Sequence, residues 1–195
     1  MINKIKLIVM ILMIIIMIII LIKINRGNAV YVKSKVDKEE YLVQDKKDKE
    51  KAADILAEIK KRIIKLKEYL EKNKEKYEEY KEYIKQLSER IIYTEISESS
   101  GDSSYTSYSV NKGEEIVFCI RSRKEERFHE INLLMYVALH EIAHVACPEY
   151  GHTDLFKKIF KFFIKKGEEI GIYRKIEFKK EPREYCGLTI TESII

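Results

Sequence analysis

The residues best equipped for chemistry are His140, Glu141 and His144, set in Leu133-Leu-Met-Tyr-Val-Ala-Leu-His140-Glu141-Ile-Ala-His144-Val-Ala-Cys147. Apart from these three, the stretch is apolar and free of Gly, Pro and charge, so it reads as a helix buried on most sides. Residues four apart share a helical face, which puts the two imidazoles one turn apart, with Glu141 about 100° round from His140. A zinc ion takes neutral imidazole nitrogens, and a catalytic site supplies three protein ligands and leaves a fourth position to water. Glu141 is placed to take a proton from that water rather than to act as a third ligand from the same turn. The bland alternative is a polar cluster that only looks like a motif. Against it, a lone carboxylate in an apolar helix is costly to bury without a cation or strong donors, and three of the four His fall between positions 140 and 152.

His152 is the expected third ligand. Pro148 ends the first helix and Gly151 permits a turn of any hand, so the chain can fold back before a new helix begins. Glu149, Asp154, Glu168 and Glu169 are poorer alternatives. The ligand set predicts one zinc ion held by His140, His144 and His152.

His140-Glu-x-x-His144 followed by Gly151-His152-x-x-x-Phe156 resembles the minimal zincins of the WLM and SprT-like metallopeptidase families. Three further phrases, Asn111–Ile120, Leu134–His140 and Tyr185–Ile190, resemble uncharacterised membrane-anchored metallopeptidases of large DNA viruses. The resemblance covers about residues 105–195. It implies an α+β, zincin-like catalytic domain with a small sheet beside the zinc helix, and a protein or peptide substrate, hydrolysed with Glu141 as catalytic base. In zincins the sheet's edge strand aligns the substrate, which makes Ile116, Val117, Phe118, Cys119 and Ile120 the expected substrate-binding strand. Tyr185 is a candidate oxyanion donor, with a packed tyrosine as the alternative.

Other elements must carry and position this centre. Tyr105–Val110 and Glu114–Arg121 have strand composition, joined through the turn Asn111-Lys-Gly113. Asn132 is a candidate helix cap, and His129 reads as a solvated loop residue. Asp154–Lys166 reads as a second helix with Leu155, Phe156, Ile159, Phe160 and Phe163 inward, ending at Gly167.

Upstream, about 37–92 is rich in Lys, Glu, Tyr and Ile without Gly or Pro, which predicts a long helix. Its apolar residues from Leu56 to Ile91 are spaced alternately three and four apart, with Asn73 in the seam. Such a heptad seam serves either a homodimeric coiled coil or packing against the chain's own catalytic domain. Interleaved charges, with a formal net of +5 over 195 residues, argue against a nucleic-acid surface. Ile5–Ile22 is an almost unbroken apolar run, which reads as an uncleaved single-pass membrane anchor. Flanking lysines and arginines bias the catalytic side toward the cytosol, and three Cys without compact spacing suit a reducing compartment. The expected organisation is thus an anchor over 1–26, a charged helical stalk over 27–96 and a zincin-like domain over 97–195. A non-catalytic, membrane-tethered coiled-coil scaffold with a structural zinc is the rival reading.

Overall fold

The computed structural model describes residues 2–25 and 29–193, and in the first helix the side chains of residues 6–18. That helix, α1 (Ile2–Asn25), displays exposed apolar side chains from Leu7 to Ile18. Among the described residues no helix is long and apolar enough to cross a membrane. This finding overturns the expected single-pass anchor and the membrane localisation that followed from it. Met1 and Arg26, at the ends of that expected segment, lie outside the described residues.

The remainder is mixed α+β. A hairpin of β1 (Ala29–Lys33) and β2 (Glu40–Gln44) leads to α2 (Lys49–Asn73), two 3-10 turns and α3 (Lys81–Ile91). The single long helix expected over 37–92 is therefore interrupted. Its first part is strand β2, and α2 stops at Asn73, whose amide nitrogen donates to the Tyr69 carbonyl and whose oxygen accepts from Lys76. Leu56, Ile59, Ile63, Leu66, Leu70, Ile84, Leu87 and Ile91 all lie in one core with α4 (Ile131–Ala146). The heptad seam is filled from within the chain, and packing is continuous across residue 96. Each such Leu or Ile contributes about 1.5–3 kcal/mol by leaving water.

Three strands follow α3: β3 (Glu95–Glu98), β4 (Tyr108–Val110) and β5 (Glu115–Phe118), in the order β3-β5-β4. The predicted hairpin is present, with Val110 opposite Glu115 and Tyr108 opposite Val117. Its turn takes Asn111, Lys112 and Gly113 to positive φ, and at Gly113 (φ 109°) a Cβ would stand 2.9 Å from Val145 Cγ1. Only glycine lets this turn approach α4 so closely. Strand β3 pairs parallel to β5, with Ile96 opposite Ile116.

The site helix α4 is apolar nearly all round because neighbours surround it: α2 and α3 behind, α5 (Asp154–Glu169) alongside and β4 near its polar face. Gly167 lies inside α5 rather than ending it, and a Cβ there would sit 3.2 Å from Leu139 Cδ1, so it allows close helix contact. Thr153 caps α5 by accepting from the Phe156 N–H. Asn132 does not cap α4. It exchanges two hydrogen bonds with the backbone of Arg174, tying the start of α4 to the chain beyond α5.

A final hairpin, β6 (Arg183–Tyr185) and β7 (Leu188–Ile190), is stapled to the end of β5 by a disulfide between Cys119 and Cys186. Thiols were expected here, and only Cys147 is free and buried. His129 likewise differs from its expectation. It is half-buried, its Nε2 accepts from the Cys186 N–H, and burial lowers its pKa.

Candidate metal and catalytic site

Helical spacing brings His140 and His144 to one face of α4, and the turn through Gly151 (φ 79°) returns His152 to them. The three Nε2 atoms converge. They are 3.1 Å apart for His140–His144, 3.0 Å for His140–His152 and 3.3 Å for His144–His152. Two nitrogens bound tetrahedrally at 2.0–2.1 Å stand about 3.3–3.4 Å apart, so this triangle has the size of a three-imidazole zinc set. Mutual hydrogen bonding does not explain it. Each neutral Nε2 either carries one proton or offers one lone pair, so at least one of the three contacts opposes like with like. A cation at the centre satisfies all three. These three side chains could hold a metal ion.

Burial tunes the centre. It holds the His140 imidazole down to about 3, helped by His144 and His152, and the His144 imidazole down to about 4, helped by His152 and Lys112. Both rings are therefore neutral near pH 7, the state that binds metal. Glu141 is 4% exposed, and burial raises its carboxyl to about 8. Phe156, fully buried on α5, packs against all three rings, with centroids 4.1 Å from His144 and 5.0 Å from each of the others.

His140, Glu141, His144 and His152 line one cavity of about 550 Å³. Its opposite wall is β4 and the residues before it, from Thr106 to Ser109. The expected substrate strand is corrected here. Ile116, Val117, Phe118, Cys119 and Ile120 are buried, and β5 lies between β3 and β4, so its edges are already paired. Among the described residues, the free edge beside the site is that of β4. Tyr185 is at the cavity, buried, with its hydroxyl hydrogen-bonded to that of Ser107. Burial raises its pKa, so it stays a neutral phenol.

Two participants carried no sequence signal. Ser107 sits in a serine-rich stretch and accepts from the Cys119 N–H at 3.0 Å while contacting Tyr185. Lys112 reaches from the hairpin turn to donate to the carbonyls of Cys147 and Glu149, and stands 4.3 Å from the Tyr150 ring. It thereby fixes the end of α4 and the loop toward His152. Only the positive-φ turn around Gly113 hinted that this loop approaches the helix.

No protein-family model matches the chain. The uncharacterized protein R325 of Acanthamoeba polyphaga mimivirus is 48% identical over 173 residues, covering 89% of this chain and 88% of that protein. The uncharacterized protein 136R of Invertebrate iridescent virus 6 is 38% identical over 102 residues, 51% of this chain and 54% of that protein. Among solved structures, Wss1 from Saccharomyces cerevisiae aligns over 66% of this chain and 87% of its own, with a TM-score of 0.44 and 20% identity. A likeness at that level carries no weight for function.

Proposed function

The chain belongs to the family of mimivirus protein R325, and for it we propose a zinc-dependent metallopeptidase that hydrolyses peptide bonds in a protein or peptide substrate. The observation that carries this reading is the triangle of Nε2 atoms 3.0–3.3 Å apart, at the wall of an open cavity shared with Glu141. His140, His144 and His152 would hold one zinc ion, which when bound supplies Lewis-acid polarisation to a carbonyl and to an attacking water. Glu141, kept neutral near pH 7 by burial in the metal-free site, would be ionised by the charge of the adjacent zinc, and so act as the base for that water and return the proton to the leaving amine. Strand β4 offers its unpaired edge to an extended substrate backbone. The Tyr185 hydroxyl, held by Ser107, is a neutral donor at the cavity and the candidate for stabilising the developing oxyanion.

A structural zinc in a scaffold is disfavoured by the same geometry. Structural sites are closed by four protein ligands, whereas His152 is exposed and all three imidazoles face a cavity. A buried carboxylate beside such a site would cost stability without a role.

The test compares the zinc-loaded chain with its Glu141→Gln variant on unfolded casein, with bound zinc measured in parallel. One zinc per chain in both, with cleavage lost in the variant by at least about a hundredfold, is the expected outcome. Equal cleavage by both proteins, or no zinc in either, refutes the reading.

A further inference from the structure

The cavity is chemically two-ended. Helix α4 runs along it, and Val137 precedes His140 by three residues and Glu141 by four, so it lies on their face, about one turn toward the helix N-terminus. Val137 and Tyr136 line the cavity there. Leu188 and Ile190 line it as well, and residues two apart on a strand share a face. Side-chain contacts hold the β6–β7 hairpin at this end. The Tyr185 hydroxyl meets Ser107, and the Tyr136 hydroxyl lies 3.0 Å from Ser193 Oγ, just past β7. At the other end of α4 the lining is polar, with Lys112 committed to the carbonyls of Cys147 and Glu149. Leu188 is 60% exposed, a large aliphatic side chain presented to solvent on the wall of a cavity rather than withdrawn into the core.

Resting on the peptidase reading, we propose that the site selects polypeptide segments carrying a bulky aliphatic or aromatic side chain beside the scissile bond, seated among Val137, Leu188 and Ile190. A strand laid along β4 alternates its side chains between two faces, so a residue adjacent to the bond held over Glu141 meets this apolar end. Glu192, exposed on the cavity wall and 4.0 Å from Lys179 in a loose ion pair, adds a carboxylate at this wall. Covering Leu188 and filling the space between it and Val137 favours a leucine-sized group over a charged one by about tenfold or more in affinity.

The test uses the full chain in two arms. In the first, casein digests by the zinc-loaded chain are sequenced by mass spectrometry, with Glu141→Gln as background. In the second, a fluorescein-labelled hexapeptide with one central leucine, and its aspartate counterpart, are titrated into zinc-loaded Glu141→Gln by anisotropy. Expected are Glu141-dependent cuts concentrated beside Leu, Ile, Met or Phe, tenfold or tighter binding of the leucine peptide, and loss of both preferences in Leu188→Asp. Leu188 is exposed, so that variant keeps the fold, which circular dichroism checks. Glu141-dependent cuts without apolar preference, or preferences unchanged in Leu188→Asp, overturn the subsite and leave the peptidase intact. If no cuts depend on Glu141, the peptidase reading fails, and the binding arm alone decides the subsite: equal affinities overturn it, and a leucine preference erased by Leu188→Asp upholds it.

Discussion

Phe156 should set zinc affinity without touching the metal. Its ring is fully buried, lies against all three imidazoles and stacks on His144 with 25° between the planes. Phe156→Leu keeps an apolar residue but withdraws the flat surface that fixes the rings, and each freed ring regains about 0.5 kcal/mol of rotamer entropy. Over three rings this amounts to about 1.5 kcal/mol, or roughly a tenfold weaker zinc complex. The fold loses about 1–2 kcal/mol from the smaller side chain. Phe163→Leu is the matched control, because Phe163 is equally buried on the same helix and its ring lies tilted beside that of Phe162, away from the imidazoles. The assay is competition for zinc against a chromophoric chelator, with urea unfolding of the metal-free proteins alongside. The prediction is a similar stability loss in both variants with weaker zinc binding only in Phe156→Leu. Equal zinc affinities in the two variants would refute the packing argument, since loss of volume alone would then account for everything.

Metal-free stability should respond to pH through Glu141. Its folded pKa, about 8, lies above the ordinary 4.5, so the associated stability is fully present below pH 4.5 and lost as pH rises through 8. Glu141→Gln in chelator should therefore match the parent at pH 4.5 and exceed it by about 3 kcal/mol at pH 7; parallel urea curves at all pH values would contradict a buried carboxyl. Arg121 is 5% exposed and bonds Glu98 at 2.7 Å and Asp48 at 2.6 Å. Arg121→Met strands the Glu98 carboxylate, whose pKa burial already raises, and should cost about 3–5 kcal/mol, partly restored by adding Glu98→Gln in a double-mutant cycle. Reducing the Cys119–Cys186 disulfide, which closes a separation of 67 residues, should lower stability by about 4 kcal/mol on the chain-entropy account. An unchanged urea midpoint in reductant would argue against the bond.

The convergence of the three histidines was legible because its information is local. His140, Glu141 and His144 fall within five residues on a single helix, and His152 follows a Pro-to-Gly turn only eight residues after His144. Helical geometry converts such spacing directly into proximity. The β4–β5 hairpin was legible for the same reason, since its turn residues carry the positive φ values that the turn demands. The staple and the buried ion network were not. Cys119 meets Cys186 across 67 residues, and Arg121 meets Asp48 across 73, distances over which no periodicity survives.

The misassigned substrate strand shows how one non-local pairing alters a functional reading. Residues 116–120 are the most strand-like stretch before α4, and in an isolated hairpin with β4 they would offer a free edge. Strand β3 removes that edge by pairing in parallel with β5, bringing Glu95 and Glu98 into register with Glu115 and Phe118, and nothing in its charged sequence announces a strand. Once β5 is central, the sheet has an open edge on β4, the side that faces His140 and His144. The heptad seam poses the same problem in helical form. Apolar residues three and four apart state that one face must be covered, and a second copy or the chain's own α4 covers it equally well. Here Leu56, Ile59, Ile63 and Leu66 are buried in the core that also holds α4. The helices that looked like a stalk therefore form the rigid backing against which the two imidazoles of α4 are held in place.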